Sequence, residues 1–296
     1  MPEYEDDVPA QQQPRGRRWG RLLVALVIGA VAIISYLMKT EINPVTGEKQ
    51  RVAMNVDQER VLGLAAAPEM TKKMGGALDP ANDASARLVA EVGARLVRLS
   101  NAARSPYADN FHFHLLSDPE TINAFALPGG QVFITRGLFD RLANEAQVAA
   151  VLAHEIGHVI HRHSAEQMAK GQLGQTLTMA VGVASDDGRR GEMVEAAVNQ
   201  MVQLKYGRGD ESEADRYGLE AMAGAGYDPT AMLDVMRVLR GAAGNQRPPE
   251  FLSSHPLPET RLREIEEILR QTYPGGVPAA LTKGRPLRNN KSGTSN

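Results

Sequence analysis

The sequence contains no cysteine. That absence excludes disulfide bonds, thiolate metal ligands and a cysteine nucleophile, so any bound metal must be held by His, Asp or Glu side chains. It leaves the redox compartment open, because a chain without thiols suits an oxidising space as well as a reducing one. The formal net charge is only −2 over 296 residues, which gives no reason to expect nucleic acid as a partner.

Long apolar runs are also scarce, and the uncharged stretch 22–38 is the one that reaches membrane-spanning length. As a helix it would cover about 25 Å, just adequate for a hydrocarbon core if flanking aromatic residues lie at the interfaces. Arginines precede the run and only Lys39 follows closely, which favours a cytoplasmic N-terminus and an extracytoplasmic remainder, periplasmic in a bacterium. The sequence therefore predicts a transmembrane signal anchor at 19–39 after a disordered cytoplasmic tail at 1–18. A cleaved signal peptide is the alternative, but the small-x-small segment 30–32 lies inside the run.

The remainder of the chain divides by its pattern of apolar and turn-forming residues. Apolar residues recur first at helical spacing, then alternate in short β-rich segments between 111 and 135, and return to helical spacing from 144 to about 272. No internal repeat is evident. This order predicts an α+β fold that is mainly α-helical with a small β-sheet. The predicted segments after the anchor are a polar linker, a folded domain and a disordered tail (40–56, 57–273 and 274–296).

The segment 145–160 contains the motif that indicates chemistry, His154-Glu155-Ile-Gly-His158. Positions four apart share one face of a helix, so the two histidines can reach one cation. Zinc accepts imidazole nitrogen, and a catalytic zinc keeps one position open for water. Glu155 lies about 100° round the helix, beside the ligand face, which suits a general base. The alternative, two histidines on a packed helix, would leave a charged Glu unpaired within an apolar run.

A catalytic zinc also needs a third protein ligand. The metzincin spacing fails here, because position 161 is His where that motif has Gly, and position 164 is Ser where it has His. His161 lies on the ligand face but about 10 Å along the helix from His154, too far for both to bind one ion. His161 and His163 are therefore interpreted as groups outside the coordination sphere or on the surface.

A better candidate for the third ligand lies in the helical stretch 208–216. Glu211 and Asp215 are four apart and share a face, while Glu213 points elsewhere. Glu211 suits a ligand carboxylate, and Asp215 suits a hydrogen-bond acceptor that fixes the orientation of a ligand histidine. An acidic, solvated helix face is the alternative, and the spacing taken alone favours it.

Several motifs in the same order resemble the gluzincin metallopeptidases that include HtpX, BepA, the Oma-type proteases and the CAAX prenyl-protein endopeptidases. The resemblance covers about residues 57–270. It rests on the motifs NAFALPGG at 123–130 with Gly137-Leu138, HEIGH at 154–158, Arg208-x-x-Glu211-x-x-Ala214-Asp215, and Ser254-His255-Pro256 before Arg261.

The resemblance implies a zincin-like metalloprotease domain with one Zn²⁺ per chain. It implies His154, His158 and Glu211 as zinc ligands, Glu155 as the base, and Asp215 as the group that orients a ligand histidine. The strand formed by Gln131, Val132, Phe133, Ile134 and Thr135 is implied to be the edge on which an extended substrate backbone lies, so that recognition is largely independent of sequence.

For two further residues, the resemblance leaves two roles open. His255 resembles a loop histidine that approaches the zinc and holds the site shut, although a helix-entry residue before Pro256 is an equal alternative. Arg261 is expected to bind either the third-ligand helix or a tetrahedral oxyanion.

The multi-spanning members of this family have several apolar runs, whereas this chain has one. The chain therefore resembles the single-anchored or periplasmic type most. The sequence thus predicts a zinc-dependent metalloendopeptidase that hydrolyses internal peptide bonds of misfolded or unassembled extracytoplasmic proteins. Its predicted partners are polypeptide substrates and the membrane, with no nucleic acid, and no pattern indicates an oligomeric state. The alternative function is a catalytically idle zinc-binding chaperone or adaptor anchored in the membrane.

Overall fold

The computed structural model describes residues 15–173, 205–243, 249–256 and 259–287, with side chains from residue 22 onward. The strands are β1 (Thr40–Ile42), β2 (Lys49–Arg51), β3 (His112–Leu116), β4 (Ala124–Leu127) and β5 (Gln131–Thr135). The helices are α1 (Arg15–Met38), α2 (Val56–Lys73), α3 (Ala84–Arg98), α4 (Arg136–Phe139), α5 (Glu145–Ile160), α6 (163–173), α7 (Arg208–Gly224), α8 (Ala231–Ala243), α9 (Phe251–Ser254) and α10 (Glu259–Thr272). The predicted α+β class, mainly helical, is confirmed, while 174–204, 244–248 and 257–258 of the expected helical region lie outside the described residues.

The three-stranded sheet corrects the prediction for the substrate edge. Its order is β3-β5-β4, with β3 parallel and β4 antiparallel to β5. Both sides of the strand Gln131–Thr135 are therefore already hydrogen-bonded, and all five of its residues are buried. The expectation that this strand offers a free edge is wrong, because strand order depends on pairing between segments that the local pattern does not reveal. Strand β4 is an edge strand of this sheet, and it packs against α5.

Helix α5 lies at the centre of the molecule, and all sixteen of its residues are buried. Its first turn is capped by Asn144, whose side chain accepts a hydrogen bond from the Gln147 amide at 3.1 Å. The sheet and α3 pack on it, and α7 and α8 cover it further. An apolar helix enclosed in this way can hold polar side chains only where other elements supply partners for them.

Helices α5 and α7 approach closely at Gly157. A Cβ atom at this position would lie 2.9 Å from the Ala214 Cα and 3.0 Å from its carbonyl oxygen. The absence of a side chain therefore lets the two helix backbones nearly touch, about one turn from His154 on α5 and about one turn from Glu211 on α7.

The N-terminal region contains structure that composition did not predict. The expected linker 40–56 forms an antiparallel hairpin of β1 and β2. Helix α1 begins at Arg15, so residues 15–18 of the expected disordered tail belong to a helix, while 1–14 lie outside the described residues. Among the described residues, no helix meets the combined length and apolar character needed to cross a bilayer.

The segment 274–287 was expected to belong to a disordered tail, yet its last residues, 283–287, are hydrogen-bonded along the start of α5. The amides of Glu145 and Ala146 donate to the carbonyl oxygens of Arg285 and Lys283 at 2.9 and 3.0 Å. Main-chain hydrogen bonds of this kind do not depend on an apolar side-chain pattern, so a composition rich in Pro and Gly concealed them. Residues 288–296 lie outside the described residues.

Candidate metal centre and active site

Four side chains from three segments converge at the buried face of α5. His154 and His158 come from α5, Glu211 from the first turn of α7, and His255 from the turn after α9; their ligand atoms all lie within 4.8 Å of one another. The Nε2 atoms of His154 and His158 are 3.0 Å apart. The Glu211 carboxylate lies 3.6 Å from the first of these atoms and 3.5 Å from the second. The structure thus brings together the two histidines and the glutamate that the sequence motifs single out.

The outer nitrogen of His154 contacts Asp215, four residues after Glu211. Its Nδ1 lies 2.9 Å from the Asp215 Oδ1. A carboxylate only accepts hydrogen bonds, so the Nδ1 carries the hydrogen and the Nε2 of the neutral ring keeps a lone pair directed at the cluster. This is the tautomer that a metal ligand requires.

The residues present fit a zinc ion. Two imidazole nitrogens and a carboxylate form the N, N, O donor set of a catalytic zinc site. The His255 Nε2 is buried and has no hydrogen-bond partner in the described part of the chain, which is costly unless a further group binds there. The Glu211 Oε2 is paired with Arg261 there, and the Glu211 Oε1 faces the histidine nitrogens. Burial, with the positive charge of Arg261, lowers the pKa of the His154 ring, which keeps the imidazole neutral and able to ligate.

Glu155 projects from α5 beside this cluster and is fully buried. Neither of its carboxylate oxygens has a hydrogen bond of ordinary geometry among the described residues. Burial, followed by repulsion from Glu211, holds the pKa of the Glu155 carboxyl well above the ordinary glutamate value. A buried carboxyl without a fixed partner is free to exchange a proton with a bound molecule.

His255 lies inside the cluster in this conformation. Its Nδ1 donates to the Glu211 Oε1 at 3.0 Å and lies 3.4 Å from the His154 Nε2. Its Nε2 is 3.7 Å from the Glu155 Oε1, and the ring stacks on Phe251 at a centroid distance of 4.3 Å. His255 therefore contacts the predicted ligands and the predicted base together, and the side chain is 1% exposed.

Arg261, from α10, binds two carboxylates of α7, those of Asp215 and Glu211. Its Nε and Nη2 atoms contact the two oxygens of Asp215 at 2.5 and 2.7 Å, and its Nη1 forms an ion pair with Glu211. Attraction to Arg261, opposing the effect of burial, lowers the pKa of Asp215 to about 2. Of the two roles expected for Arg261, this geometry favours binding the third-ligand helix.

Sequence reasoning missed two contacts of His158. The ring of Tyr206 stacks on it with a centroid distance of 4.0 Å, and the Tyr206 hydroxyl is hydrogen-bonded to Ser164 at 2.9 Å. On its other nitrogen, His158 Nδ1 lies 2.8 Å from His163 Nδ1, and His163 Nε2 lies 3.1 Å from Glu213. No spacing rule joins these residues, because the contacts form between separate elements. His163 was expected either outside the coordination sphere or on the surface, and the structure places it in the first position, against His158.

Comparison with known proteins agrees with this site. The sequence model of Peptidase family M48 matches residues 84–269. The chain is 32% identical to the beta-barrel assembly-enhancing protease of Escherichia coli K12 over 286 residues, covering 92% of this chain and 57% of that protein. It is 30% identical to the mitochondrial metalloendopeptidase OMA1 of Schizosaccharomyces pombe over 260 residues, covering 88% and 74%. The human protein of that name is 25% identical over 92% of this chain and 53% of its own length.

The family model includes α3, the sheet, α5 and its HEIGH motif, the carboxylates of α7, and most of α10. The chain spans about half the length of the first of these curated relatives, the assembly-enhancing proteases. The resemblance inferred from the motifs is confirmed, and the chain belongs to peptidase family M48.

Proposed function

We propose that the protein is a zinc-dependent metalloendopeptidase. The observation that carries the proposal is the meeting of two imidazole Nε2 atoms, 3.0 Å apart, with the Glu211 carboxylate at 3.5 and 3.6 Å. His154, His158 and Glu211 would hold the zinc ion. When bound, the ion supplies Lewis-acid polarisation of the scissile carbonyl and lowers the pKa of the attacking water.

Glu155 is the proposed general base and then the general acid. It accepts a proton from the attacking water and returns it to the amine that leaves. Its buried position, without a fixed hydrogen-bond partner among the described residues, leaves the carboxylate available for both transfers. Arg261 and Asp215 would keep Glu211 and His154 in place.

The proposed substrate is an extended polypeptide segment bound at strand β4. That strand pairs on one side with β5, and the backbone of Ala126 within it lies close enough to the Glu155 carboxyl to offset part of the rise in its pKa. A peptide that adds to the outer edge of β4 would place its backbone next to the proposed base. Because main-chain hydrogen bonds supply the affinity, such binding tolerates many sequences.

The substitution Glu155→Gln tests the assignment. We expect this variant to bind zinc like the wild type, since Glu155 is not a ligand, and to lose casein hydrolysis by at least about 100-fold. His154→Ala and Glu211→Ala should lose zinc itself, as measured by elemental analysis. Wild-type turnover by Glu155→Gln would refute the proposed chemistry.

A catalytically idle adaptor that holds unfolded clients is the second candidate. The buried and closed state of the cluster favours it, because all four donors are at most 3% exposed. Casein digestion with and without a chelator separates the two functions: chelator-sensitive cleavage supports the enzyme, and chelator-insensitive binding without cleavage supports the adaptor.

We further propose that His255 holds the enzyme inactive in this conformation. It contacts both Glu211 and Glu155, so it occupies the space between the ligands and the base. The substitution His255→Ala should raise the rate of casein hydrolysis at unchanged zinc content. An unchanged rate would assign His255 to the packing of the turn after α9 alone.

We propose extracytoplasmic quality control as the setting and α1 as the membrane anchor. Residues 22–38 carry no charge, and several apolar side chains of α1 are about half to three-quarters exposed, among them Leu23, Leu26 and Met38. The name of the bacterial relatives, beta-barrel assembly-enhancing protease, supports unassembled envelope proteins as substrates. Carbonate extraction of membranes tests the anchor, since an anchored chain stays in the pellet and a peripheral one is released.

A further inference from the structure

The second zinc-ligand candidate, His158, has an outer partner different from that of His154. Its Nδ1 faces another imidazole, the Nδ1 of His163, at 2.8 Å. His163 is 1% exposed, and its other nitrogen lies 3.1 Å from the Glu213 Oε2. Glu213 is on α7, two residues after Glu211, and its side chain is 47% exposed. Three side chains thus form one line from solvent to the cluster.

The positions of the hydrogens along this line follow from the chemistry of the groups. The Glu213 carboxylate only accepts, so His163 must donate from Nε2. A neutral imidazole has one N–H, which leaves the His163 Nδ1 as an acceptor. The hydrogen bond to His158 then requires the hydrogen on the His158 Nδ1. The His158 Nε2 is consequently left with a lone pair directed at the cluster.

We infer that His163 and Glu213 are positioning residues that select the metal-binding tautomer of His158. The inference rests on the proposed function, because that function supplies the metal. Asp215 does the same for His154 by direct contact. Asp215 and Glu213 therefore leave the Nε2 lone pairs of His154 and His158 facing each other across 3.0 Å. The two lone pairs repel each other unless a cation binds between them.

Without the Glu213 carboxylate, no acceptor fixes the hydrogen of His163 on Nε2. His163 can then carry its hydrogen on Nδ1 and donate to His158, which places a hydrogen on the His158 Nε2 and blocks ligation. Loss of an outer partner of a zinc-bound histidine typically weakens metal binding by about 10–100-fold. We therefore expect Glu213→Gln and His163→Leu to raise the zinc dissociation constant by about 10-fold or more, measured by competition with a fluorescent chelator.

His161 provides a matched control. It stacks on His163 at a centroid distance of 5.4 Å, and its Nδ1 lies 3.3 Å from the Glu213 Oε2, yet it makes no side-chain hydrogen bond to His158 in the described structure. His161→Gln should therefore bind zinc within about twofold of wild type, well inside the range expected for an outer partner. Since His163 is buried and its replacement can unfold the chain, the half-exposed Glu213 gives the decisive variant.

The tautomers of His158 and His163 can be measured directly, and a purely structural role of Glu213 would not change them. In zinc-loaded full-length protein with ¹⁵N-labelled histidine, we expect the hydrogen on Nδ1 of His158 and on Nε2 of His163. In Glu213→Gln, His163 should be a mixture of the Nδ1–H and Nε2–H tautomers. The opposite tautomer in the wild type, or wild-type zinc affinity in Glu213→Gln, would overturn the inference.

The same residues could instead bind a second metal ion, and counting the zinc equivalents bound per chain tests this alternative. His161, His163 and Glu213 place three donor atoms within 4.8 Å, so a second ion bound there would make His163 Nε2 a ligand and no longer a donor. Two zinc equivalents in the wild type, falling to one in His161→Gln, would therefore overturn the inference. If the wild type binds zinc without cleaving peptides, the proposed function fails while the tautomers still test the positioning role; if it binds none, both fail.

Discussion

At the scale of single residues, the site is governed by the balance of buried charge. Arg261 is the cation that faces the buried carboxylates of Glu211 and Asp215, and it is 3% exposed like they are. Buried ionised groups are tolerated only when they are paired and hydrogen-bonded. The pairing explains how two acids can lie beside neutral histidines in an apolar interior, and it makes each partner sensitive to substitution.

Asp215→Asn tests this balance. The change keeps the shape of the side chain but leaves Arg261 with less negative charge and His154 with a weaker acceptor. We expect a loss of about 3–5 kcal/mol in stability and about 10-fold weaker zinc binding, measured by thermal denaturation and chelator competition. Glu220→Gln, an exposed carboxylate on the same helix, is the control and should change neither property. Unchanged zinc affinity in Asp215→Asn would mean that the outer hydrogen bond does not orient His154.

At the scale of elements, the distance between α5 and α7 decides whether the glutamate reaches the histidines. Helix α5 carries His154, Glu155 and His158, and α7 carries Glu211, so the helix spacing at Gly157 sets the ligand distances. A Cβ at Gly157 would collide with the backbone of Ala214, which cannot move without the helix.

Gly157→Ala is therefore expected to separate the two helices. We expect a loss of about 1–3 kcal/mol from overpacking, together with weaker zinc binding, although alanine favours helix intrinsically. Gly241→Ala on α8 is the matched control, because no described atom beyond the glycine's own chain neighbours and helix backbone lies within 4 Å of its Cβ position. The control should keep wild-type affinity and melt at the same temperature or slightly higher. Equal zinc affinity in both variants would show that the helix spacing does not control the site.

Local pattern predicted the elements far better than their arrangement. Helical spacing located α5 and placed His154 beside His158, and the same spacing joined Glu211 to Asp215. The meeting of these two pairs required the family resemblance, since no periodicity relates α5 to α7. Strand β5 was misassigned as an edge for the same reason: pairing with β3 and β4 is a long-range property. The stacking of Tyr206 on His158 had no sequence signal at all.

At the scale of the whole molecule, distant segments secure both ends of α5. Residues 282–287 lie along its start, and Arg162, directly after its C-cap His161, binds the N-terminal region. Arg162 has a φ of 59°, an uncommon value for a residue with a side chain. Its guanidinium contacts Glu59 at 3.1 Å, Glu41 at 2.9 Å and the Met54 carbonyl at 2.8 Å. The central helix is therefore fixed by segments that composition alone assigned to a linker and a tail.

Arg162→Met should remove the ion pairs that join the end of α5 to Glu41 and Glu59, while the hydrogen bonds from Asn43 and Gln50 to the Ile160 and His161 carbonyl oxygens remain. Glu59 would be left buried with only the Tyr107 hydroxyl as a partner, at a cost of about 3–5 kcal/mol. The double variant Arg162→Met with Glu59→Gln should recover most of that loss, because it removes the unpaired charge. Thermal unfolding followed by circular dichroism measures both. Equal destabilisation in the single and double variants would assign the effect to the other contacts of Arg162, with Glu41 and the Met54 carbonyl oxygen, and not to the Glu59 ion pair.

Lowering the pH should release the C-terminal segment from the other end of α5. Burial raises the pKa of Glu145, but hydrogen bonds from the Arg285 backbone and side chain and from Tyr227 outweigh it, so the net pKa lies below the ordinary value of 4.5. A carboxyl with a lowered folded-state pKa contributes stability that is fully present above 4.5 and is lost as the pH falls through the folded value.

We therefore expect hydrogen exchange in residues 282–287, corrected for the intrinsic pH dependence of exchange, to speed up as the pH falls below about 4.5. Glu145→Gln should show fast exchange already at neutral pH and lose this pH dependence. Glu91→Gln is the control, because Glu91 binds the same arginine at 3.2 Å from a side chain that is 54% exposed. An exposed ion pair contributes little, so Glu91→Gln should keep the wild-type pH profile. If both variants lose it together, the arginine side chain holds the segment and the Glu145 contacts with the Arg285 backbone and Tyr227 do not.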